Sequence, residues 1–447
     1  MIEKIPTPAL SWDVQCKTPF SPEKDAVDVF SPPLKVWFSI TCLVFFALNL
    51  LAQNPAGLKM VSRKVSKDMP LIHGSTYTDS KTLNLRSGDF VSTDNGESWE
   101  NRPMTPDFLL GLPFGFRRDF IVTILDPRHS RMIAVLNALD LENLNPGIRE
   151  PPIAQKSYYL RYRVSDDGGK TWKFDEPIIH RGDFTAKNPF PGIFIGKNAI
   201  YLGDRGSKPL ITKKGKILVP AQVTLLGENG ELFNPGNGHT YTDAVVLIGS
   251  WTKDGRITWE ISKRIIGDPK RSTRGMIEPT LVELKNGDLV MVMRGSNEQK
   301  GSKNYTLPGY KWLSVSKDEG KNWSKPAPLT FEDGKELYSP SSMSTLFKHS
   351  SGRCFWIGNM TKENNKGNLP RWPAVFIELN TDSFRLKENT LLVLDTQQEE
   401  DKSKGRLDIS HFSVIEDRTT KEIIITYPRS YNAYKSQEWV TTQIKID

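Results

Sequence analysis

The sequence predicts an all-β protein, a six-bladed β-propeller of four-stranded antiparallel blades. An eight-residue phrase, S-x-D-x-G-x-S/T/N-W, occurs three times, short β-rich segments follow one another after residue 54, and no long helical period interrupts them. A phrase that recurs at intervals of tens of residues is typical of repeat architectures. Many short strands with regular turn signals indicate a sandwich, barrel or propeller, and repeated hairpin phrases favour the propeller.

The repeated phrase has the properties of a β-hairpin turn. Its copies are STDNGESW from Ser92, SDDGGKTW from Ser165 and SKDEGKNW from Ser316, with a weaker echo, SWTKDGRITW, from Ser250. The Asp and the small polar side chains suit hydrogen bonds to the turn backbone, and the Gly suits a positive φ. The Trp offers a large apolar face to the next strand. We therefore expect these Asp residues to be structural and not catalytic.

The strand-rich segments group into repeating units of similar length. The predicted units are 54–108, 112–180, 205–265, 276–328, 336–396 and 405–447. The last unit is short and ends in VTTQIKI, so we expect it to close the ring by pairing with a strand from the N-terminal segment. Seven blades are the alternative, if the N-terminal unit forms a blade of its own.

The N-terminal region carries the one membrane signal of the sequence. An apolar run, VWFSITCLVFFALNLLA, extends from Val36 to Ala52 with Lys35 before it. The run resembles a secretory signal with cleavage after Ala52, and a signal anchor is the alternative. We expect residues 1–53 to be a presequence and 54–447 the propeller domain. Either alternative exports the domain to a periplasmic, extracellular or cell-surface location, and signal cleavage would end any stable membrane association.

Charge and cysteine content narrow the class of partner. The net charge is +8, but the chain has no Lys/Arg run, zinc-ligand spacing or aromatic RNA-binding pattern, so we expect no nucleic-acid partner and consider an acidic sugar instead.

Of the three Cys, at positions 16, 42 and 354, only Cys354 lies outside the presequence, which leaves no internal disulfide. We expect a monomer without a cofactor, while a structural calcium among the Asp and Asn turns stays open.

The repeated phrase resembles the Asp-box of the sialidase-like (BNR repeat) superfamily. Members of that superfamily are six-bladed propellers with a glycan site at the centre of the ring. The resemblance covers most of residues 112–447 and implies an exo-acting glycoside hydrolase for a terminal acidic sugar, such as sialic acid. Asp-boxes also occur in propellers that cleave nothing, so the resemblance bears more on fold than on activity.

The resemblance implies substrate-binding arginines and an acid. In FRRDF, Arg117 takes the place of the Arg in the superfamily's F-R-I-P phrase, although Arg118-Asp119 replaces Ile-Pro. A second charged cluster is represented only by Asp140 and Glu142, which are the candidate acids.

The stretch EPTLVELKNGDLVMVMR is the best match to the superfamily. Glu278 at its start corresponds to the Glu that supports the nucleophile, and Arg294 at its end corresponds to a carboxylate-binding Arg. Arg371 stands where the third Arg is expected. Together with Arg117, these residues imply three guanidiniums around one carboxylate, which each can bind bidentately.

The sequence departs from the superfamily at the nucleophile. Retaining sialidases use Tyr, but His411 in LDISHFSVIED stands at that position, and Tyr427 is displaced by a whole strand. A His beside a carboxylate-binding centre suits general acid/base chemistry near neutral pH, such as β-elimination on a uronic acid.

Three functions follow as hypotheses. The first is a sialidase-type glycosidase, and the second is a uronic-acid polysaccharide lyase or other glycosidase with His411 or His239 as base. The third is a glycan-binding propeller without catalysis, in which exposed aromatic residues such as Tyr310 and Trp372 stack on sugars. Replacing His411 with Phe separates the second from the others, because only lyase activity should vanish.

Overall fold

Strand and turn make up almost all of the described chain. The computed structural model describes residues 55–107, 118–141, 154–302 and 304–447. Within these ranges the helical segments are α1 (Ala154–Ser157), α2 (Asp401–Lys404) and a 3-10 turn (Glu388–Thr390), and no helix is long and apolar enough to cross a membrane. The predicted presequence lies outside the described residues.

The first three blades follow one another along the chain. Strand β1 (Leu58–Ser66) precedes them and belongs to none of them. Their strands, from the innermost outward, are β2 (Thr76–Tyr77), β3 (Leu85–Ser87), β4 (Phe90–Ser92) and β5 (Glu100–Asn101) in blade I; β6 (Arg118–Asp126), β7 (Arg131–Ala138), β8 (Tyr159–Ser165) and β9 (Lys173–Pro177) in blade II; and β10 (Ile200–Tyr201) with β11 (Leu210–Ile211), β12 (Ile217–Val223), β13 (Asp243–Trp251) and β14 (Ile257–Ile261) in blade III.

Three more antiparallel sheets complete the ring. Their strands are β15 (Ile277–Glu283), β16 (Leu289–Arg294), β17 (Lys311–Ser316) and β18 (Ala327–Pro328) in blade IV; β19 (Thr345–Lys348), β20 (Cys354–Asn359), β21 (Ala374–Asn380) and β22 (Arg385–Leu386) with β23 (Leu392–Asp395) in blade V; and β24 (Leu407–Ile409) with β25 (Ser413–Glu416), β26 (Ile423–Tyr431) and β27 (Ser436–Ile446) in blade VI. The predicted six-bladed, four-stranded propeller is confirmed.

Blade VI takes its outermost strand from the other end of the chain. Strand β1 pairs antiparallel with β27, from Leu58 opposite Ile446 to Ser66 opposite Trp439. This confirms the predicted closure of the ring. The predicted first unit, 54–108, is therefore split, since its opening strand belongs to blade VI and blade I begins only at β2.

The repeated turns confirm the structural interpretation of the Asp-boxes. In blade IV the Asp318 carboxylate accepts hydrogen bonds from the Asn322 N–H, at 2.9 Å, and from the Ser316 hydroxyl, also at 2.9 Å. Gly320 has φ 87°, and its carbonyl accepts a 2.9 Å bond from the Trp323 indole. Blades I and II repeat the Asp contacts. These turns join the third and fourth strands of their blades.

The hydrophobic core lies between neighbouring blades. The largest cluster joins blades II and III and includes Val135, Leu160, Val219 and Trp259, each at most 2% exposed. Similar clusters lie between blades III and IV, IV and V, and V and VI. Burial of these side chains contributes roughly 25 cal/mol per Å² of apolar area. Cys354, the free cysteine of the described residues, belongs to this core, where burial raises its thiol pKa to about 11.

Candidate functional site

The candidate residues meet on one face of the ring, which we call the site face. Because neighbouring strands are antiparallel, the start of each innermost strand and the end of the next strand reach the same face. Glu278 lies at the start of β15, Arg294 ends β16, and Tyr434 lies in the turn between β26 and β27. The Asp-box turns lie on the opposite face, because each begins where a third strand ends.

Glu278 and Arg294 form a buried ion pair on blade IV. The Arg294 Nη1 to Glu278 Oε1 distance is 2.5 Å, and each side chain is 11% exposed. Arg294 also donates from Nε to the Ser341 hydroxyl at 2.9 Å and from Nη2 to the Asn368 side-chain oxygen at 3.2 Å. These contacts hold the guanidinium in one orientation toward the ring centre.

The backbone at Glu278 departs from a regular strand. Its φ is 47°, and the β15–β16 pairing shifts register between Ile277 and Thr280. The Glu278 N–H is bound instead by the Gln222 side-chain oxygen at 2.7 Å. Gly203 packs against both groups, since a Cβ there would lie 2.4 Å from that oxygen and 2.9 Å from the Glu278 Cα. Glycine at this position allows the Glu278 backbone to approach.

A second cluster begins at the residue after Gly203. The Asp204 carboxylate lies 3.0 Å from His411 Nδ1, and His411 Nε2 lies 3.0 Å from the Tyr434 hydroxyl oxygen. His411 has φ 59° in the gap between β24 and β25, which turns it out of the strand pairing. Asp204, His411 and Tyr434 thus form a hydrogen-bonded chain from blade III to blade VI.

Arg371 joins this chain from blade V. Its Nη1 lies 3.3 Å from the Tyr434 oxygen and 3.5 Å from the Ser410 hydroxyl. Its backbone carbonyl accepts bonds from the Ile409 N–H at 3.1 Å and the Asn359 side chain at 3.0 Å. The Arg371 backbone is therefore fixed, and its guanidinium points at the tyrosine.

These contacts change the pKa values of the chain. Burial lowers the pKa of His411, but the charge and hydrogen bond of Asp204 outweigh burial and raise it to about 9. Burial raises the pKa of Tyr434, but the charges of His411 and Arg371 outweigh it, so this pKa is lowered. At neutral pH His411 is therefore an imidazolium that donates to Asp204 and to Tyr434, and the phenol is the activated group.

Buried Lys311 contributes to the floor of the site. Its Nζ donates to the Pro340 carbonyl at 2.7 Å, and its side chain is fully buried. Burial first, and then the charge of Arg294, lower its pKa well below the usual value. Burial and the neighbouring cations therefore disfavour the charged form of this amine beside the Glu278–Arg294 pair.

The structure brings together four of the seven predicted site residues. Glu278 contacts Arg294, and His411 and Arg371 share Tyr434. Asp140 lies at the end of β7, where its carboxylate accepts a hydrogen bond from the Tyr159 hydroxyl. Arg117 and Glu142 lie outside the described residues.

The other candidates have different positions. His239, on the β12–β13 loop of blade III, is 3.2 Å from Glu298, on the β16–β17 loop of blade IV. Tyr310 is 4% exposed and stacks on Tyr338, so the prediction of an exposed sugar platform there was wrong. Trp372 is partly buried against the core between blades V and VI, and Tyr427 is fully buried, with its hydroxyl on the Leu394 carbonyl.

Three residues of the candidate site were missing from the sequence predictions. They are Asp204, Tyr434 and Arg274, which lies near Glu278 and Arg294. Tyr434 closes a turn in which Asn432 and Ala433 also have positive φ. A run of three such residues is uncommon, but no sequence motif marks it. Within the described ranges no group of three His, Cys, Asp or Glu side chains is placed to hold a metal.

The fold and this convergence of charges define a sialidase-like β-propeller. The family model for a BNR repeat-like domain matches residues 145–406, more than half of the chain, and the protein belongs to this family.

Solved structures show the same fold at low sequence identity. A Dyadobacter fermentans protein of unknown function has TM-score 0.53 and 14% identity over 88% of this chain and 100% of that one. A Hadza microbial sialidase has TM-score 0.52 and 14% identity over 84% of this chain and 65% of its own. A variant of NanB sialidase from Streptococcus pneumoniae has TM-score 0.51 and 11% identity over 88% and 69%. These similarities support the fold alone.

Proposed function

We propose that the protein is a glycoside hydrolase for a terminal acidic sugar, with Tyr434 as the nucleophile. The observation that carries the proposal is the convergence of the His411 imidazolium and the Arg371 guanidinium on the Tyr434 oxygen, at 3.0 and 3.3 Å. Both neighbours donate hydrogen bonds, and both favour the phenolate over the phenol. This arrangement activates a nucleophile that is weak in its free state.

A tyrosine suits an acidic substrate for electrostatic reasons. A carboxylate on the reacting carbon would repel an ionised Asp or Glu, whereas the charge of the Tyr434 phenolate is spread into its ring and is offset by the His411 and Arg371 cations beside it. The usual Glu partner is replaced here, because Glu278 is paired with Arg294 and His411 takes the position beside the tyrosine. The His411–Asp204 pair therefore performs the activation that Glu was expected to provide.

The proposed reaction has two steps. The Tyr434 proton leaves to solvent, the phenolate oxygen bonds to the anomeric carbon, and the glycosidic bond breaks as its oxygen takes a proton from an acid. Water then cleaves the sugar–tyrosine bond and restores the phenol. Arg371 holds the substrate carboxylate, with Arg294 beside it. Asp140 and Glu142 stay the candidate acids, and Arg117 stays a candidate third arginine.

The same geometry favours one alternative, elimination on a uronic acid. A phenolate beside an imidazolium can remove the proton next to a carboxylate whose developing charge Arg371 stabilises. His411 itself suits the role of base poorly at neutral pH, because its pKa of about 9 keeps it protonated. In this alternative Tyr434 is the base, and the products carry a new double bond without added water.

Covalent trapping tests the nucleophile. The full chain is incubated with a 3-fluorosialyl fluoride, digested and mapped by mass spectrometry, in parallel with Tyr434→Phe and the control Tyr338→Phe. Within the described chain, the Tyr338 hydroxyl makes one side-chain hydrogen bond, to Glu336. We expect a sugar adduct on the Tyr434 peptide of wild type and of the control. An adduct on another residue, or sialoside turnover that Tyr434→Phe leaves intact, would overturn the proposal.

A further inference from the structure

An arginine outside the predicted set lies beside the Glu278–Arg294 pair. Arg274 donates from Nε and Nη2 to the Thr240 hydroxyl, at 3.0 and 2.8 Å. It makes no ion pair with any described residue, whereas Arg294 is matched by Glu278. Arg274 is close enough to Arg294, Glu278 and Glu298 for their charges to act on it. It therefore presents a positive charge at the edge of the site that has no ion-pair partner among the described residues.

Three loops of blades III and IV build the surroundings of this guanidinium: the β12–β13 loop of blade III, the β14–β15 connection between the two blades and the β16–β17 loop of blade IV. We call them the Arg274 rim, which consists of residues 234–242, 272–275 and 296–300. The Thr273 N–H donates to the Ser296 carbonyl at 2.8 Å, and the Lys300 N–H donates to the Asn237 carbonyl at 2.7 Å. The loops therefore hold one another in place by backbone hydrogen bonds.

Close packing within the rim fixes the arginine further. A Cβ at Gly238 would lie 2.5 Å from the Arg274 Cγ, and one at Gly236 would lie 2.1 Å from the Thr273 carbonyl oxygen. The sequence NPGNGHT thus uses its glycines to seat the loop on Thr273 and Arg274, and its threonine to bind the guanidinium. The loop therefore holds the Arg274 guanidinium in a fixed position, and no other role of the NPGNGHT motif is evident.

The Arg274 position is separate from the reacting centre. Arg371 comes from blade V and contacts Tyr434, while the hydrogen bonds of Arg274 go to the Arg274 rim. Nη1 of Arg274 has no hydrogen-bond partner among the described residues, and His239, 58% exposed, lies on the same loop as Thr240. A free guanidinium edge of this kind matches a carboxylate.

We propose that Arg274 binds a second carboxylate, on the sugar next to the one that reacts, so that the preferred ligands are oligosaccharides with acidic groups on adjacent units. This inference rests on the proposed function, because it assumes that an acidic sugar occupies the Tyr434 centre. Thr240 acts as a positioning residue for Arg274.

Binding measurements test the inference without turnover. Calorimetry on the full chain carrying Tyr434→Phe compares a monoacidic with a diacidic ligand in two series, sialyllactose with α2,8-disialyllactose and a monoglucuronyl with a diglucuronyl oligosaccharide. Both series are then repeated on three double variants, in which Arg274→Gln, Thr240→Val or the control Arg271→Gln is added separately to Tyr434→Phe. Arg271 is an exposed residue of the same segment that lies over the Trp312 ring.

We expect Arg274→Gln to lower the affinity for the diacidic ligand about tenfold, which corresponds to the loss of one charged hydrogen-bonded contact. The affinity for the monoacidic ligand should fall less than twofold. Thr240→Val, which keeps the charge, should give a smaller loss of the same pattern and serves if Arg274→Gln fails to fold. Arg271→Gln should change neither. Equal weakening of both ligands, or none, would overturn the inference and leave the proposed function intact. No binding in either series would overturn both.

Discussion

The direction of the His411–Tyr434 hydrogen bond decides which of the two residues reacts. Asp204 raises the pKa of His411 to about 9, so the imidazole carries two protons at neutral pH and donates to the phenol. A base must be able to accept a proton, which is why we propose the phenol oxygen, and not His411, as the reactive atom. The sequence alone made His411 the candidate base, since an isolated histidine titrates near neutrality.

The hydroxyl of Tyr434 should be indispensable. We expect Tyr434→Phe to lower kcat by at least about a thousandfold, because removal of a nucleophile abolishes the covalent route. The thermal unfolding temperature should stay within a few degrees. Steady-state kinetics on a chromogenic sialoside measures the first and calorimetry the second. A kcat within tenfold of wild type would show that Tyr434 is not the nucleophile.

His411 should produce an alkaline loss of activity and of stability. Its pKa is raised from the usual 6.5 to about 9, so its contribution to stability is fully present below pH 6.5 and is lost as pH rises through 9. The effect should be modest, because 39% of the side chain is exposed. The charged groups that face it are Asp204, Tyr434 and Arg371.

The control for this prediction is His411→Gln, which keeps a hydrogen-bond donor without a titratable charge. Unfolding temperatures and kcat of both proteins are measured from pH 6 to 10. The wild-type advantage in stability should shrink toward pH 10, and kcat should fall near pH 9 in wild type alone. An advantage that is constant over the whole range would contradict the His411–Asp204 ion pair.

Some contacts of these side chains could not be predicted from the sequence, and the reason is physical. Glu278 and Arg294 were predicted together because one hairpin carries both. Asp204 and His411 are 207 residues apart, and only closure of the ring brings them together. The role of Tyr434 depends on a turn of left-handed residues, a conformation that the letters YNAYK do not specify.

At the scale of elements, interruptions of the innermost strands position the residues of the candidate site. Blade III is interrupted between β10 and β11 at Asp204, blade VI between β24 and β25 at His411, and blade IV bulges at Glu278. Irregular strand segments are common beside active sites, where they re-aim side chains. The pattern of alternating apolar residues predicted the strands themselves, but such local departures depend on contacts from neighbouring blades.

Gly203 offers a test of the closest of these contacts. Gly203→Ala places a Cβ 2.4 Å from the Gln222 oxygen, so Gln222 and the Glu278 backbone must shift. We expect a loss of about 1–3 kcal/mol in unfolding free energy, the usual range for overpacking, together with a fall in kcat/KM. Gly227→Ala is the matched control, because its Cβ would meet a flexible Asn229 side chain at 3.1 Å and the Glu231 carbonyl oxygen at 3.7 Å, an ordinary van der Waals distance. Full activity in Gly203→Ala would show that the Glu278 backbone position is unimportant.

The Asp-box turns should matter for stability and not for activity. Asp318→Ala removes the acceptor of the Asn322 N–H and the Ser316 hydroxyl on the face opposite the site. We expect a loss of about 1–2 kcal/mol in unfolding free energy with unchanged kcat. Denaturant titration measures it, with exposed Lys317→Ala as the control. A large loss of kcat in a folded Asp318→Ala protein would contradict the structural role of the Asp-box and indicate a role in catalysis.

At the scale of the whole molecule, ring closure and charge act together. Pairing of β1 with β27 joins the two ends of the described chain and makes the six blades one closed ring. The site face collects Arg274, Arg294 and Arg371, which, with the net charge of +8, agrees with the proposed binding of acidic sugars. Repeats and strand pattern predicted the six blades and the closure of the ring, since each blade carries its own local signals, but they did not predict that the first unit is divided between two blades.

The most direct measurement is the mass of the products formed in ¹⁸O-labelled water. The full chain and Tyr434→Phe are incubated with a mixture of sialylated and uronate-containing oligosaccharides, and the released sugars are weighed by mass spectrometry. We expect wild type to release a terminal acidic sugar that has gained one labelled water, and the variant to release none. Unsaturated fragments without added water would contradict hydrolysis in favour of elimination, and no product from wild type would contradict catalysis altogether.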